Sequence, residues 1–415
     1  MTLKSSLLRL CLALCTIVLF GSCMKDKLTK TYTIFTPVYQ SKAEVLASVK
    51  NGPVQSVSTP GKIYLYGHYI FLNEVNKGVH VIDNQDPASP KIKAFIKIPG
   101  NVDIAVKGNY LYADMFSDLV TIDISDPLNT RLVKTVSKVF PDRVYGLGFS
   151  RDTTQVIVDW VAKDTTISQD IDITNGCGNC VFNYASTEGS FKSGGPSVGG
   201  SMARFTIVNN YMYTVGISEL TAISLEEPAA PRVEAKSSVG IDIETIYPFK
   251  DKLFIGSTTG MFIYSIANPS SPARLGVFTH GRACDPVVAD DDYAFVTLRT
   301  GTLCGGTSNV LDVVDVSNVL SPHRVAMHQL VNPHGLSKDG NLLFICDGRD
   351  GLKMFDASNV RELVLLHHQK GLDTYDVIAW NKRLIVVSKT GLDQFDYSNG
   401  SSLKHLSTIT INQKK

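Results

Sequence analysis

Apolar and polar side chains alternate along most of the chain after about residue 60, and turn residues interrupt the alternation at short intervals. Residues 102–138 show this clearly, because "VDIAVKG", "NYLYADM", "DLVTIDIS" and "RLVKTVSK" are separated only by Gly-Asn, Phe-Ser-Asp and Asp-Pro-Leu-Asn. A period of two predicts strands with one buried face, and connections this short predict antiparallel hairpins. The stretch therefore predicts one four-stranded antiparallel sheet.

This unit recurs along the chain. Its third strand is repeated as "GVHVIDNQDP", "DLVTIDISDP", "ELTAISLEEP", "GMFIYSIANP", "VLDVVDVSNV", "GLKMFDASNV" and "GLDQFDYSNG". Most neighbouring copies start roughly forty residues apart, which is the period of one blade of a β-propeller. Aligning the predicted first strands gives eight copies and favours eight blades. The unit at Tyr145 lacks a clear fourth strand, and if it is an insertion the all-β propeller has seven.

The repeated segments also resemble a known family. "GVHVID", "DLVTIDISDP" and "GLKMFD" are similar to the LVIVD repeat, a β-propeller repeat of secreted bacterial and archaeal proteins, and the similarity covers roughly residues 60–411. "PGKIYLYG" and "RACDPVV" are similar to Bacteroidota lipoproteins that carry this repeat. The resemblance implies an architecture and supplies no activity.

The N-terminus has the pattern of an export signal. The apolar run "LLRLCLALCTIVLF" follows Lys4 and is too short to span a membrane. Cys23 follows Gly21 and Ser22, and "LFGSC" resembles the lipobox of bacterial lipoproteins, which implies that Cys23 is lipidated. The alternative is an ordinary secretory signal with a bystander cysteine.

These features predict the domain organisation and the location. We expect a signal peptide over residues 1–22, a linker with a short helix over 23–60, and the propeller over 61–415 with a loop insertion at about 163–200. The predicted location is the bacterial outer membrane, on its surface or its periplasmic face, with the lipid anchor as the only membrane attachment.

Composition narrows the classes of partner. The chain has 415 residues, of which 44% are hydrophobic and 19% charged, and its formal net charge is +1. This near-neutral balance argues against a nucleic-acid partner, and the apolar fraction argues against disorder.

Export would place the cysteines in an oxidising compartment, where they form disulfides more often than metal sites. Cys284 opens a predicted first strand and Cys304 lies in the second-to-third loop of the same blade, so we predict that they pair. Cys177 and Cys180 form "CGNC", for which we predict a structural clip, since the βαβ setting of a redox motif is missing from the predicted elements. Cys346 lies in the apolar run "LLFICDG" and is predicted to be a core residue.

The starts of the predicted first strands supply the candidate site. In a four-stranded meander these starts and the second-to-third loops share one face, and we predict that both sequence insertions, at about 163–200 and at 300–309, lie in such loops. One residue per first strand points toward the central channel or its mouth in this alignment: Lys62, Asp103, Tyr145, Arg204, Glu244, Asp285, His334 and Asp376. Charged side chains cannot face a dry core, so the set forms either a hydrated ion-pair ring or a site for a small polar ligand or a cation. The metal, if any, is not specified by a contiguous motif.

Two functions follow from this set. The first is an envelope-anchored, non-catalytic binding or scaffold module for a protein, a glycan or a small polar ligand. The alternative is a hydrolase or lyase acting on carbohydrate or peptide, with His334 beside Asp285 or Asp376 as an acid–base pair. The sequence shows no nucleophile elbow, zinc-binding helix or phosphate loop. Polar groups spread evenly around a ring favour binding over catalysis.

Overall fold

A computed structural model describes residues 27–143, 154–170, 202–283, 286–300 and 308–411. The chain divides into two compact units, Met1–Gln40 with Ile157–Ser186 and Ser41–Val156 with Thr187–Lys415. Several residues singled out by the sequence lie outside the described ranges: Cys23, Tyr145, Cys177, Cys180, Cys284, Asp285 and Cys304. The lipidation site and both cysteine pairings therefore stay predictions.

The larger unit is built from four-stranded antiparallel meanders, numbered here as blades in chain order. Blade 1 comprises β3 (Pro60–Tyr66), β4 (Tyr69–Glu74), β5 (Gly78–Asp83) and β6 (Lys91–Lys97). Blade 2 comprises β7 (Ile104–Lys107), β8 (Tyr110–Met115), β9 (Asp118–Asp123) and β10 (Arg131–Val136). Blade 3 comprises β12 (Phe205–Val208), β13 (Tyr211–Val215), β14 (Glu219–Ser224) and β15 (Arg232–Ser238).

The remaining blades repeat the same order of strands. Blade 4 comprises β16 (Ile243–Phe249), β17 (Lys252–Ser257), β18 (Gly260–Ser265) and β19 (Ala273–Thr279). Blade 5 comprises β20 (Val287–Ala289), β21 (Tyr293–Leu298), β22 (Val310–Asp315) and β23 (His323–Gln329). Blade 6 comprises β24 (Leu336–Asp339), β25 (Leu342–Cys346), β26 (Leu352–Asp356) and β27 (Val364–Gln369). Blade 7 comprises β28 (Thr374–Trp380), β29 (Arg383–Ser388), β30 (Gly391–Asp396) and β31 (Lys404–Thr410).

The all-β propeller is confirmed, and among the described residues it has seven blades, not the favoured eight. Strand β7 of blade 2 contacts β12 of blade 3 directly, and the Lys107 Nζ donates to the Asn209 carbonyl oxygen at 2.7 Å. The alternation that suggested a blade after Tyr145 belongs to β11 (Gln155–Asp170), which pairs with β1 (Lys27–Ser41) in a two-stranded sheet. A ribbon strand and a blade strand have the same period of two, so the pattern alone could not separate them.

The two insertions occupy different kinds of connection. Residues 299–309 join the second and third strands of blade 5, as predicted, where the equivalent connections of other blades have two to five residues. The longer insertion was assigned to a second-to-third loop, and this assignment is wrong. It lies between β10, the last strand of blade 2, and β12, the first strand of blade 3.

The N-terminal part of the larger unit contributes a helix and an edge strand. Helix α1 (Lys42–Ala47) begins at a capping box, in which the Ser41 amide donates to Glu44 at 2.9 Å and the Glu44 amide donates to the Ser41 hydroxyl at 3.2 Å. Strand β2 (Lys50–Gly52) then pairs with β6 and covers the outer edge of blade 1. None of the helices among the described residues is long and apolar enough to cross a membrane.

Side chains between blades 1 and 7 close the ring. One buried apolar cluster combines Ile63 and Leu72 of blade 1 with Ile378 and Val387 of blade 7. The amides of Asn84 and Gln394 bond reciprocally at 3.0 and 2.7 Å. Each of these blades supplies its own four strands, so among the described residues closure uses no strand exchanged between the termini.

Two repeated positions explain how the blades pack. The third residue of the second strand is a fully buried aromatic in six blades: Phe71, Tyr112, Tyr213, Phe254, Phe295 and Phe344. The hydroxyls of Tyr112 and Tyr213 donate to carbonyl oxygens in the proline turns of the next blade, at 2.8 Å to Pro228 and 3.0 Å to Pro269. Each tyrosine thus combines apolar burial with a satisfied hydroxyl.

Glycine is the first residue of the third strand in blades 1, 4 and 7, and it directly precedes the third strand in blade 6. A Cβ added at Gly78, Gly260, Gly351 or Gly391 would lie 2.0 to 2.6 Å from a carbonyl oxygen of the fourth strand. The fourth strand therefore approaches closer than any side chain would allow, which accounts for the glycine that opens four of the repeated segments.

Candidate functional site

The first strand of each blade is the innermost, because first strands of successive blades contact one another from β3 through β28. The described candidates lie at or just before the starts of these strands: Lys62, Asp103, Arg204, Glu244, His334 and Asp376. The structure brings them together as two groups and not as one ring.

The division follows from strand register. In four blades the candidate directly precedes the first-strand residue that pairs with the fourth residue of the second strand, as in the pairs Ile63–Leu72 and Val377–Val386. These four candidates are Lys62, Asp103, Arg204 and Asp376. Glu244 and His334 stand one residue earlier, since the equivalent pairs are Ile246–Ile255 and Leu336–Ile345. The single column predicted from the sequence is therefore wrong for these two residues. In blade 4 the ladder shifts by one residue between Ile243 and Thr245, which alternation cannot reveal.

Lys62 and Asp103 form the centre of the first group. Lys62 is fully buried, and its Nζ donates to the Met202 carbonyl oxygen at 2.7 Å and lies 3.9 Å from Asp103 Oδ2. The Asp103 oxygens accept the amides of Ile104 at 2.8 Å and Arg204 at 2.7 Å. Asp103 thus joins blades 1, 2 and 3, and its hydrogen-bonding capacity is largely used.

Asp376 is the unusual member of this group. It is 2% exposed, yet neither carboxylate oxygen has a hydrogen-bond partner among the described residues. Gly335 packs against it so closely that an added Cβ would lie 2.0 Å from Oδ1, and the Gly335 amide donates to the Tyr375 carbonyl oxygen at 2.9 Å. A buried carboxylate without donors is expensive, so this acid has bonding capacity that the described protein atoms leave unused.

Burial and mutual charge shift the pKa values of all three groups. Burial lowers the pKa of Lys62 to about 8, against the opposing effect of Asp103. Burial raises the pKa of Asp103 to about 7 and that of Asp376 to about 8, and in both cases the Lys62 ammonium opposes the rise. The amide of Val377 also lowers the pKa of Asp376, although its geometry falls short of a hydrogen bond. One ammonium therefore faces two carboxylates, and the group can exchange protons near neutral pH.

The second group comprises Glu244, Arg299 and His334. Burial, together with the charge of Arg299, lowers the pKa of His334 to about 3, so its imidazole is neutral at physiological pH. The His334 Nε2 lies 3.2 Å from the Asn332 amide nitrogen, and its ring meets the Tyr375 ring edge to face at 5.4 Å. Burial lowers the pKa of Arg299, and Glu244 opposes this.

Sequence reasoning missed Arg299 and Asp114. Asp114 accepts the amides of Val102 at 2.7 Å and Asp103 at 2.9 Å, and it acts on the pKa of both Lys62 and Asp103. Both missed residues lie at or beside the ends of second strands, which meet the starts of first strands on the same face. The sequence feature that marks both residues is a charged side chain at the end of an apolar second strand, whereas the predicted set draws on first strands.

Clustered metal ligands and thiols are the remaining features that bear on the chemistry of the described residues. Among the described residues, no group of three His, Cys, Asp or Glu side chains could hold a metal ion. Cys346 is fully buried, which confirms it as a core residue, and burial raises the pKa of its thiol. Its carbonyl oxygen accepts the His334 amide at 2.7 Å.

Comparisons with known proteins support the architecture. Residues 100–137 match the LVIVD repeat family. Similar solved structures include BamB from Moraxella catarrhalis (9% identity, TM-score 0.50, 86% of this chain and 97% of that chain), a Lactobacillus plantarum protein (10%, 0.56, 86% and 96%) and the periplasmic gluconolactonase PpgL of Pseudomonas aeruginosa (11%, 0.55, 88% and 97%). No curated protein matches the chain in sequence. Identities this low show a shared fold and carry no activity across.

Proposed function

We propose that this LVIVD-repeat β-propeller is a non-catalytic binding module of the bacterial envelope, and that its axial site holds a small polar ligand or a cation at Asp376. The observation that carries the proposal is the buried carboxylate of Asp376, whose two oxygens have no partner among the described residues. A ligand with an ammonium, a hydroxyl or a positive charge would supply the missing donor or countercharge.

The neighbouring groups suit such a ligand. Lys62 is already engaged by the Met202 carbonyl oxygen and faces Asp103, whose oxygens accept two backbone amides. The Lys62–Asp103 pair can therefore remain in place while Asp376 binds. Such a division separates a structural pair from a binding acid within one charged group.

The proposal predicts different effects for the two acids. We expect at least one of four probes, each tested singly at millimolar concentration, to raise the melting temperature. The probes are ethanolamine, glucosamine, K⁺ and Ca²⁺. Asp376→Asn should abolish that rise and leave the ligand-free melting temperature nearly unchanged, because linkage adds stability only through the occupied site. Differential scanning fluorimetry with each probe measures both quantities.

Asp103→Asn is the matched control, because it removes an acid from the same group that already has partners. It should lower the ligand-free melting temperature while some stabilisation by the probe persists. If none of the four probes stabilises the unmodified protein, or if Asp376→Asn responds as the unmodified protein does, the axial binding site is refuted.

A second candidate is the hydrolase or lyase. The observation in its favour is that Lys62, Asp103 and Asp376 all have pKa values shifted toward neutrality, which is typical of acid–base groups. His334 fits this function less well, because the Asn332 amide nitrogen lies beside its Nε2. Turnover of chromogenic glycosides or peptides that is lost in Asp376→Asn would favour the enzyme over the binding module.

We also propose that Cys23 anchors the protein to the outer membrane. The support is the small pair before Cys23 at the end of the apolar run. Cys23→Ser should move the protein from the membrane fraction to the soluble fraction without changing the melting temperature of the propeller, because the acyl chains provide the attachment. Fractionation followed by immunoblotting measures this, and unchanged membrane association would contradict it.

A further inference from the structure

A cavity of about 640 Å³, whose described lining includes none of Lys62, Asp103 and Asp376, lies between the last strand of blade 4 and the third and fourth strands of blade 5. Its described lining includes apolar side chains from both blades, Phe278, Leu298 and Val310, and two arginines, Arg282 and Arg324. The volume is in the range of sites for small organic molecules. The cavity therefore offers an apolar floor with guanidinium groups at its side.

A buried acid is paired with one of these arginines, Arg324. Asp312 on β22 is fully buried, and its two oxygens lie 3.4 and 3.3 Å from a single nitrogen, Nη1, of Arg324 on β23. The Arg324 side chain is nevertheless 50% exposed. Asp312 thus fixes the orientation of a guanidinium that keeps further N–H groups for another acceptor.

The other arginine, Arg282, is also paired with a carboxylate, although that acid is 40% exposed. Arg282 follows β19, and its Nη2 lies 3.3 Å from Asp242 Oδ2, while its side chain is 60% exposed. Two guanidiniums, each positioned by a carboxylate through one nitrogen, line one cavity. This is the donor arrangement that recognises planar or tetrahedral oxyanions.

Equivalent positions in other blades show that Asp312 is not simply a repeat feature. Asp393 has the same register in blade 7 and is satisfied within that blade by Ser388 at 2.9 Å and Thr408 at 2.6 Å. Lys353 has it in blade 6 and lies 2.6 Å from both Asp347 and Asp350. Blade 5 instead uses this position to hold a half-exposed arginine beside a cavity.

We propose that this cavity binds a small organic anion, with its carboxylate, sulfate or phosphate group between Arg282 and Arg324 and its less polar part on the floor formed by Phe278, Leu298 and Val310. Asp312 also lines the cavity, but it acts as a positioning residue, because it contacts Arg324 and is itself shielded from solvent. This site is separate from the axial site, and the two proposals stand or fall independently.

Isothermal titration calorimetry with D-glucuronate, D-glucose, inorganic phosphate and inorganic sulfate tests the site. We expect at least one of the three anions to bind and neutral glucose, which shares the ring of glucuronate, not to bind. Arg324→Gln and Arg282→Gln should each weaken binding by about tenfold or more, because each removes a charged donor from the anion. Arg324→Lys should not restore the affinity, since an ammonium lacks the planar fork.

Asp312→Asn should weaken binding about as much as Arg324→Gln does if its role is to orient that arginine, and Asp312→Asn combined with Arg324→Gln should add little more. Arg232→Gln is the matched control, because Arg232 is an exposed arginine paired with Glu234 that does not line the cavity.

Stronger binding of glucuronate would identify a carboxylate ligand, and stronger binding of phosphate or sulfate would identify an ester. The proposal would be overturned if none of the three anions bound at 10 mM, which corresponds to a binding free energy of roughly 3 kcal/mol. It would also be overturned if Arg324→Gln left the affinity unchanged.

Discussion

Gly351→Ala should lower the free energy of unfolding by about 3 kcal/mol, one of the two largest effects expected for a single change in this protein. Gly351 directly precedes β26 and has a φ of 95°, and an added Cβ would lie 2.1 Å from the Gln369 carbonyl oxygen and 3.3 Å from the Lys370 Cα. Both neighbours are backbone atoms of the fourth strand and its end, so relief requires the sheet to shift. Urea unfolding followed by tryptophan fluorescence and circular dichroism measures the loss.

Gly281→Ala is the control, because a Cβ there meets no atom of the described residues within 4 Å and its φ is not in the left-handed region. We expect that change to stay within about 1 kcal/mol. Equal losses for the two variants would show that alanine itself, and not the approach of the fourth strand, causes the effect.

Lys62→Met should cost little at pH 5 and about 2 kcal/mol at pH 7.5, which is the second large effect. The Lys62 ammonium, whose pKa is about 8, is still mostly charged at pH 7.5 and opposes the rise in pKa of Asp103 and Asp376. At pH 5 both acids are protonated in the folded protein and need no countercharge. At pH 7.5, without Lys62, they must either ionise unpaired in the interior or hold their protons against the solvent.

The sign follows from linkage. The pKa of Asp376 is about 8 when folded and near 3.8 when unfolded, so its protonated form contributes stability at low pH that is lost as pH rises toward 8. Without Lys62 this loss is larger and extends to higher pH. Urea midpoints at the two pH values measure it, and Lys93→Met, which removes an exposed lysine 3.7 Å from Asp83, should change little at either. A loss in Lys62→Met that is the same at pH 5 and 7.5 would contradict the pKa shifts.

Much of the fold could be predicted because one signal was repeated. The alternation in residues 102–138 specified four strands, and its recurrence specified a ring of such units. The blade count was less accessible, since β11 alternates as a blade strand does and only its partner, β1, distinguishes it. Strand pairing is a long-range property that local periodicity does not encode.

The candidate site was predicted less completely, for a related reason. The positions of Lys62, Asp103 and Asp376 follow from strand starts, and the structure brings these three together. His334 and Glu244 were misaligned by one residue, because the apolar pattern of a strand does not fix which of its residues pairs with a given residue of the next strand. Asp114 and Arg299 come from neighbouring strand ends and become visible only when the sheets are paired. Likewise, the cavity between blades 4 and 5 depends on packing between sheets that no single segment describes.

Closure without a strand shared between blades 1 and 7 has an evolutionary consequence. Blades 1 and 7 each keep four strands of their own and meet through an apolar cluster and the Asn84–Gln394 amide pair, so the boundary of the sequence repeat coincides with the boundary of the structural unit. Duplicating or deleting one period of the gene adds or removes a whole blade, with no half-sheet left to be completed elsewhere. The number of blades could therefore change one whole blade at a time during evolution. Each change would require only that the two blades that newly become neighbours have complementary faces.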